Sequence, residues 1–318
     1  MRSVLKTGAA AVAITALGVS GWLVARPGDD GAVLWSAGQP AGGAAGGNVA
    51  ASNLLLPWPK DGQSAVEVEG VGSLGARGDR EPVPIASLAK VMTAYVILKH
   101  HPLKDDDAGP GIEIDQTAEN ESASRDESTA KVRAGRSYSE RELLELMLIP
   151  SGNNIARLLA RWDAGSQEAF VQKMNEAAHD LGMDQTKYTG ASGFEPSTVS
   201  TAVDQLKLAR EVMKSSVIRS IVAKRSVTLP GIKGEIVNTN ALLDEPGVVG
   251  LKTGSSTPAG GALMWAAKAL DGSGRLIIGV VLHQHPDTTP AEGRRTVFNT
   301  SKKLLAGVQE ALAAGKVH

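Results

Sequence analysis

Ser87 and Lys90 stand three positions apart in the run Ile85-Ala86-Ser87-Leu88-Ala89-Lys90-Val91-Met92. On a helix, residues i and i+3 share one face about a turn apart. A serine hydroxyl is a poor nucleophile until a base removes its proton. Lysine can be that base only if burial or a nearby positive charge pulls its pKa down. The pair could therefore carry nucleophilic catalysis. Two other short groups stand out: Ser151-Gly152-Asn153 after Pro150, and Lys252-Thr253-Gly254. Taken singly, each group has a plain structural reading. Ser87 could simply cap a helix, Ser151 to Asn153 could be a turn between helices, and Lys252 to Gly254 an ordinary strand end.

The elements that must hold these residues are readable from periodicity. Leu88, Val91, Met92, Tyr95 and Leu98 fall at helical spacing and predict a helix over Ser87–His100. Ser87 would sit at its start, where free N–H groups and the positive dipole end favour a developing oxyanion. Ser139-Glu140-Arg141-Glu142 is a capping box that opens a helix through Leu148, and Pro150 ends it. Further helices are expected over Asn154–Trp162, Ser166–Leu181, Thr201–Met213 and Ala291–Ala314. Strands are expected over Ser64–Glu69, Val248–Thr253, Gly261–Ala269 and Leu276–His283, the last two joined by Asp271-Gly272-Ser273-Gly274. Strands at both chain ends with helices between them imply an α+β sandwich. An antiparallel sheet would carry helices on its faces and a helical insert in the middle.

Composition narrows the possibilities. The 318 residues are 42% hydrophobic and 21% charged, which is ordinary for a globular chain and excludes wholesale disorder or many membrane spans. With 33 basic and 34 acidic residues there is no positive excess to hold nucleic acid. Cysteine is absent, so thiol nucleophiles, disulfides and thiolate metal sites are excluded. Arg2 and Lys6 precede an uncharged stretch from Thr7 to Ala25. Residues 1–26 therefore read as a signal peptide or an uncleaved N-terminal membrane anchor. The Gly/Ala-rich residues 27–55 read as a flexible linker, and 56–318 as one catalytic domain, with no further C-terminal domain expected. Gly70-Val71-Gly72-Ser73-Leu74-Gly75 matches a dinucleotide fingerprint but lacks the following helix, so it reads as a hairpin. His283 and His285 lack a third ligand and read as a strand-end pair. The polar run Glu119–Thr129 is expected to be a mobile loop covering the site.

Together, S-x-x-K, S-x-N and K-T-G in this order form the signature of the penicillin-binding and serine β-lactamase superfamily. Within it the chain resembles the low-molecular-mass D-alanyl-D-alanine carboxypeptidases from about residue 60 to 312. The segments that carry the resemblance are Pro84–Ala94, Leu146–Asn154 and Gly250–Gly254, with Leu181-Gly182-Met183 and Ser200–Asp204 in support. The resemblance implies a penicillin-binding/β-lactamase-like sandwich acting on peptidoglycan stem peptides outside the cytoplasm, acylated by β-lactams and needing no metal or cofactor. Ser87 would attack the penultimate D-Ala carbonyl and Lys90 would take its proton. Ser151 would relay that proton to the leaving amine, and Asn153 would hold the substrate amide. Lys252 and Thr253 would bind the terminal carboxylate, with Gly254 completing the motif. Backbone N–H groups of Ser87 and Ser255 would form the oxyanion hole.

Ser192 stands where many relatives carry His, and Thr239 where some carry Arg. Both bear on substrate preference. Endopeptidase or transpeptidase action on cross-links would use the same motifs. A class A β-lactamase would carry E-x-x-L-N, whereas Glu195-Pro196-Ser197-Thr198-Val199 lacks the Leu and the Asn. A non-catalytic binding module would have lost the serine or a lysine, and all are present.

Overall fold

A computed structural model describes residues 54–317. The expected export segment and all but the last two residues of the expected linker lie outside them. In chain order the elements begin with β1 (Gln63–Val68), β2 (Gly72–Arg77) and β3 (Val83–Pro84). A 3₁₀ turn over Ala86–Leu88 leads into α1 (Ala89–His100). The middle of the chain is β4 (Gly111–Glu113), α2 (Gln116–Glu121), β5 (Ser137–Ser139), α3 (Glu140–Leu148), α4 (Asn153–Ala164) and α5 (Gln167–Asp180). After it come β6 (Val199–Ser200), α6 (Ala202–Val212), α7 (Ser216–Val222), β7 (Ser226–Val227) and β8 (Ile236–Val237). The chain closes with β9 (Val248–Ser256), β10 (Gly260–Lys268), β11 (Leu276–Gln284) and α8 (Pro290–Ala313).

The main sheet is antiparallel in the order β2-β1-β11-β10-β9, so strands from both chain ends do build it. Successive side chains of a strand point to opposite faces, and here both faces are covered. On β10, Leu263, Trp265 and Ala267 pack with Val297, Leu304 and Val308 of α8. Ala262, Met264 and Ala266 face the other way, into the core built with α1 and α3 to α7. Trp265 lies opposite Gly279 of β11, where a Cβ would fall 2.0 Å from the indole ring. Gly70, Gly72 and Gly75 belong to the β1–β2 hairpin, as expected.

Several boundaries move for local reasons. The expected helix from Ser87 splits into the 3₁₀ turn and α1. Polar α2 escapes periodicity because only Ala118 is buried, and the Asp115 carboxylate caps it by accepting from the Ala118 N–H at 2.7 Å. Short α7 is likewise capped by Ser215. The capping box at Ser139 and Glu142 forms as read, and a second closes on Thr289 and Glu292 at the start of α8. Among the described residues no helix is long and apolar enough to cross a membrane.

Helix α8 lies close on the sheet because two glycines meet. A Cβ on Gly261 would fall 2.0 Å from the Gly293 carbonyl oxygen, a backbone atom that cannot swing aside. Gly261→Ala is therefore expected to cost about 1–3 kcal/mol of stability through overpacking. The denaturant midpoint would fall while the slope stays constant. An unchanged midpoint would show that the helix can retreat at no cost.

Candidate active site

The turn that carries Ser87 is fixed from three sides. Its approach strand β3 pairs with β6, and the Ile85 N–H donates to the Thr198 carbonyl. Ala86 sits at φ 46°, a left-handed conformation that is strained for a residue with a Cβ. Gly193 presses on it: a Cβ there would lie 1.9 Å from the Ala86 oxygen. From the other side comes Gly254, where a Cβ would stand 2.9 Å from the Ile85 oxygen and 3.2 Å from the Ser87 nitrogen. This corrects the strand end expected at Thr253. Strand β9 runs on through Gly254 and Ser255 to Ser256, and the missing side chain at Gly254 lets it pass against the Ser87 turn.

Lys90 lies one turn into the same segment and is fully buried. Its Nζ has three partners: Ser87 Oγ at 2.8 Å, Asn153 Oδ1 at 2.5 Å and the Ser192 carbonyl at 2.7 Å. One turn further, Thr93 Oγ1 donates to the Ala191 carbonyl at 2.7 Å and pins the same loop. Burial first, then the charges of Lys252 and Arg157, hold the Lys90 pKa well below its ordinary value, while Glu127 and Glu195 oppose them. The partner set suits a neutral amine. Two N–H bonds point at carbonyl oxygens, and the lone pair faces a hydroxyl that can donate into it.

The other motif residues are placed around this centre. Ser151, at φ 67° in the turn between α3 and α4, is buried, and its hydroxyl bonds to no other described residue. Asn153 opens α4. Its Nδ2 donates to Glu127 Oε2 at 2.5 Å while its oxygen serves Lys90. Lys252 is buried on β9, and among the described residues its Nζ hydrogen-bonds only to Thr253, 3.0 Å from the carbonyl and 3.4 Å from Oγ1. Burial pulls the Lys252 ammonium down to about 7. Thr253 Oγ1 lies 2.8 Å from Thr239 Oγ1. Thr239 thus touches the third motif with a hydroxyl. Ser255 Oγ accepts from Arg294 of α8 at 3.0 Å.

Ser87, Asn153 and Ser255 line one cleft of about 560 Å³, together with Arg125 to Ser128, Phe194 and Arg294. Residues 125–128, within the run Glu119–Thr129 expected to cover the site, line this cleft and are bonded to its wall. The Ser128 carbonyl accepts from the Asn153 N–H at 2.8 Å, and Glu127 forms a two-pronged pair with Arg157. Glu127, Arg157, Arg294 and the Ser192 carbonyl were not legible as site residues. Asn153 and Arg157 do stand four apart on one helix face. A cation amid Ile155, Ala156, Leu158 and Leu159 was the signal available. His283 and His285 both take left-handed backbone at the end of β11. Among the described residues no cluster of three or more His, Asp or Glu side chains could hold a metal ion.

Comparison with known proteins bears on the family and the fold. D-alanyl-D-alanine carboxypeptidase DacB2 of Mycobacterium tuberculosis is 38% identical over 156 residues, 47% of this chain and 53% of the relative. A D-alanyl-D-alanine endopeptidase of Pseudomonas aeruginosa is 40% identical over 126 residues, 40% of this chain and 38% of the relative. The chain thus spans about half the length of the first of these relatives and less of the second. The crystal structure of the Streptomyces K15 DD-transpeptidase superposes with a TM-score of 0.68 at 25% identity, covering 78% of this chain and 99% of that one. The family model described as D-alanyl-D-alanine carboxypeptidase matches residues 65–285, from within β1 to just past β11 and through all three motifs. The chain therefore belongs to the D-alanyl-D-alanine carboxypeptidase family.

Proposed function

We propose that the protein is a serine D-Ala-D-Ala carboxypeptidase that removes the terminal D-Ala from peptidoglycan stem pentapeptides. The observation that carries this is the buried Lys90 amine facing Ser87 Oγ at 2.8 Å, with two carbonyl oxygens occupying its remaining positions. Ser87 Oγ attacks the penultimate D-Ala carbonyl as its proton passes to Lys90. The backbone N–H groups of Ser87 and Ser255 receive the oxyanion, a device worth about 3–4 kcal/mol per donor. The Ser151 hydroxyl, which bonds to no other described residue, relays the proton from Lys90 to the leaving amine, so the base returns to its neutral form. Asn153 keeps one N–H for the substrate amide, since Glu127 takes only one of its two. The substrate carboxylate sits against Lys252 and Thr253, and its charge restores the ammonium that burial has weakened. Water then releases the acyl group from Ser87.

The relative named as an endopeptidase favours a second reading, in which the same residues cleave cross-links. Mass spectrometry of a stem pentapeptide and of a cross-linked muropeptide after incubation separates them. Loss of one D-Ala is the expected result, and loss of the cross-link alone would favour the second reading. An unchanged pair of substrates would remove the peptidase assignment. β-Lactams mimic the substrate and should acylate Ser87. The uncharged stretch Thr7–Ala25 after Arg2 and Lys6 supports export, or anchoring, on the outer side of the membrane. Residues 56–318 then form the catalytic domain at the end of a Gly/Ala-rich linker. Recovery of the protein in the cytoplasmic fraction of its cell would contradict that location.

A further inference from the structure

Glu127 belongs to none of the three motifs, yet it reaches the centre of the site. Its Oε1 accepts from Arg157 Nη1 at 3.0 Å. Its Oε2 accepts from Arg157 Nη2 at 2.6 Å and from Asn153 Nδ2 at 2.5 Å. Both side chains are close to buried, Arg157 at 10% exposure and Glu127 at 9%. Arg157 is held further by Glu121 at 3.4 Å, and its guanidinium carbon stands 5.9 Å from the Phe194 ring. Burial pushes the Glu127 carboxyl up, but the hydrogen bonds from Arg157 and Asn153 outweigh it and hold the group ionised.

An ionised carboxylate only accepts hydrogen bonds. Asn153 must therefore turn its NH₂ to Glu127, which leaves its oxygen facing Lys90. With the Ser192 carbonyl on a second side, the only open direction at Lys90 Nζ is toward Ser87. A flipped Asn153 would point an N–H at the amine, attract its lone pair and turn it away from the nucleophile. Charge works in the same place. The charged groups facing Lys90 are Lys252 from β9, Arg157 from α4, Glu127 from the segment after α2 and Glu195 from the segment after Gly193. Alone, Glu127 would favour a protonated Lys90, and Arg157 cancels it.

We propose that Glu127 and Arg157 are a positioning pair for the base, fixing the Asn153 amide with its oxygen on Lys90 and keeping the net charge beside it near zero. This rests on the reading of Ser87 as nucleophile and Lys90 as base. Neither member touches the reacting atoms, so a purely structural role would change rates without moving their pH dependence.

The test is the second-order rate of acylation by a fluorescent penicillin as a function of pH, on the full chain, with circular dichroism as the folding control. In Arg157→Gln the unbalanced carboxylate is expected to raise the acid-side midpoint by about one pH unit or more. In Glu127→Gln the unbalanced guanidinium is expected to lower it, and the plateau falls because the Asn153 amide is free to flip. Arg157→Lys keeps the charge without the fork and is expected to keep the midpoint. Shifts of opposite sign in the first two variants support the pair. Unmoved midpoints in folded variants, or shifts of the same sign, overturn it. If Arg157→Gln does not fold, Glu127→Gln against Arg157→Lys decides the matter alone. A wild-type protein that no penicillin labels at any pH would instead overturn the Ser87 and Lys90 reading.

Discussion

Replacing Lys90 by arginine is expected to slow acylation of Ser87 by about 10²–10⁴-fold, the usual contribution of a general base. Lysine at its ordinary pKa is almost fully protonated at neutral pH and cannot take a proton. Here burial and the charges of Lys252 and Arg157 draw it well below that value, which favours the neutral amine. Guanidinium does not lose its proton in proteins, so the variant keeps the charge and loses the lone pair. In the wild type the rate rises with pH through the lowered pKa and levels off above it. In the variant no such rise remains. Lys252→Arg is expected to do less harm, because that residue acts by carrying charge toward a carboxylate. Acylation by a fluorescent penicillin measures both, with circular dichroism to confirm folding. Near-normal acylation of Lys90→Arg would place the base elsewhere and end the mechanism given above.

The second large effect is the loss of all covalent labelling in Ser87→Ala. Trypsin cuts after Arg80 and Lys90, and the peptide between them, Glu81–Lys90, contains a single serine. Label on that peptide in the wild type therefore identifies Ser87 without further fragmentation. The alanine variant loses the one hydrogen bond between Lys90 Nζ and Ser87 Oγ, at a cost of about 0.5–1.5 kcal/mol, so the fold is expected to survive. Ser151 is the alternative nucleophile to consider, since its hydroxyl bonds to no described residue. Among the described residues, Lys90 Nζ bonds to Ser87, Asn153 and Ser192 and not to Ser151. Labelling that persists in Ser87→Ala would contradict the assignment.

What the sequence determined by itself is the chemistry on offer and the frame that carries it. Ser87 and Lys90 are three apart, and nothing in their surroundings stops them sharing a helical face. Local rules also set the Ser139–Glu142 capping box and the long strands β10 and β11. These depend on neighbours within a few residues, so the chain displays them directly. Only the tertiary structure decided which atoms meet. Lys90 and Asn153 are 63 positions apart, Lys90 and Ser192 are 102 apart, and Asn153 and Glu127 are 26 apart. Ser192 contributes its carbonyl, a group every residue owns, so its side chain carries no signal. Glu127 sits in a polar run that reads as solvated, until Arg157 and Asn153 close on it. Lys252 taken singly reads as an ordinary strand-end lysine, until burial strips its water and draws its pKa to about 7. Burial and long-range pairing set the charge state of these groups, and neither exists before the chain has folded.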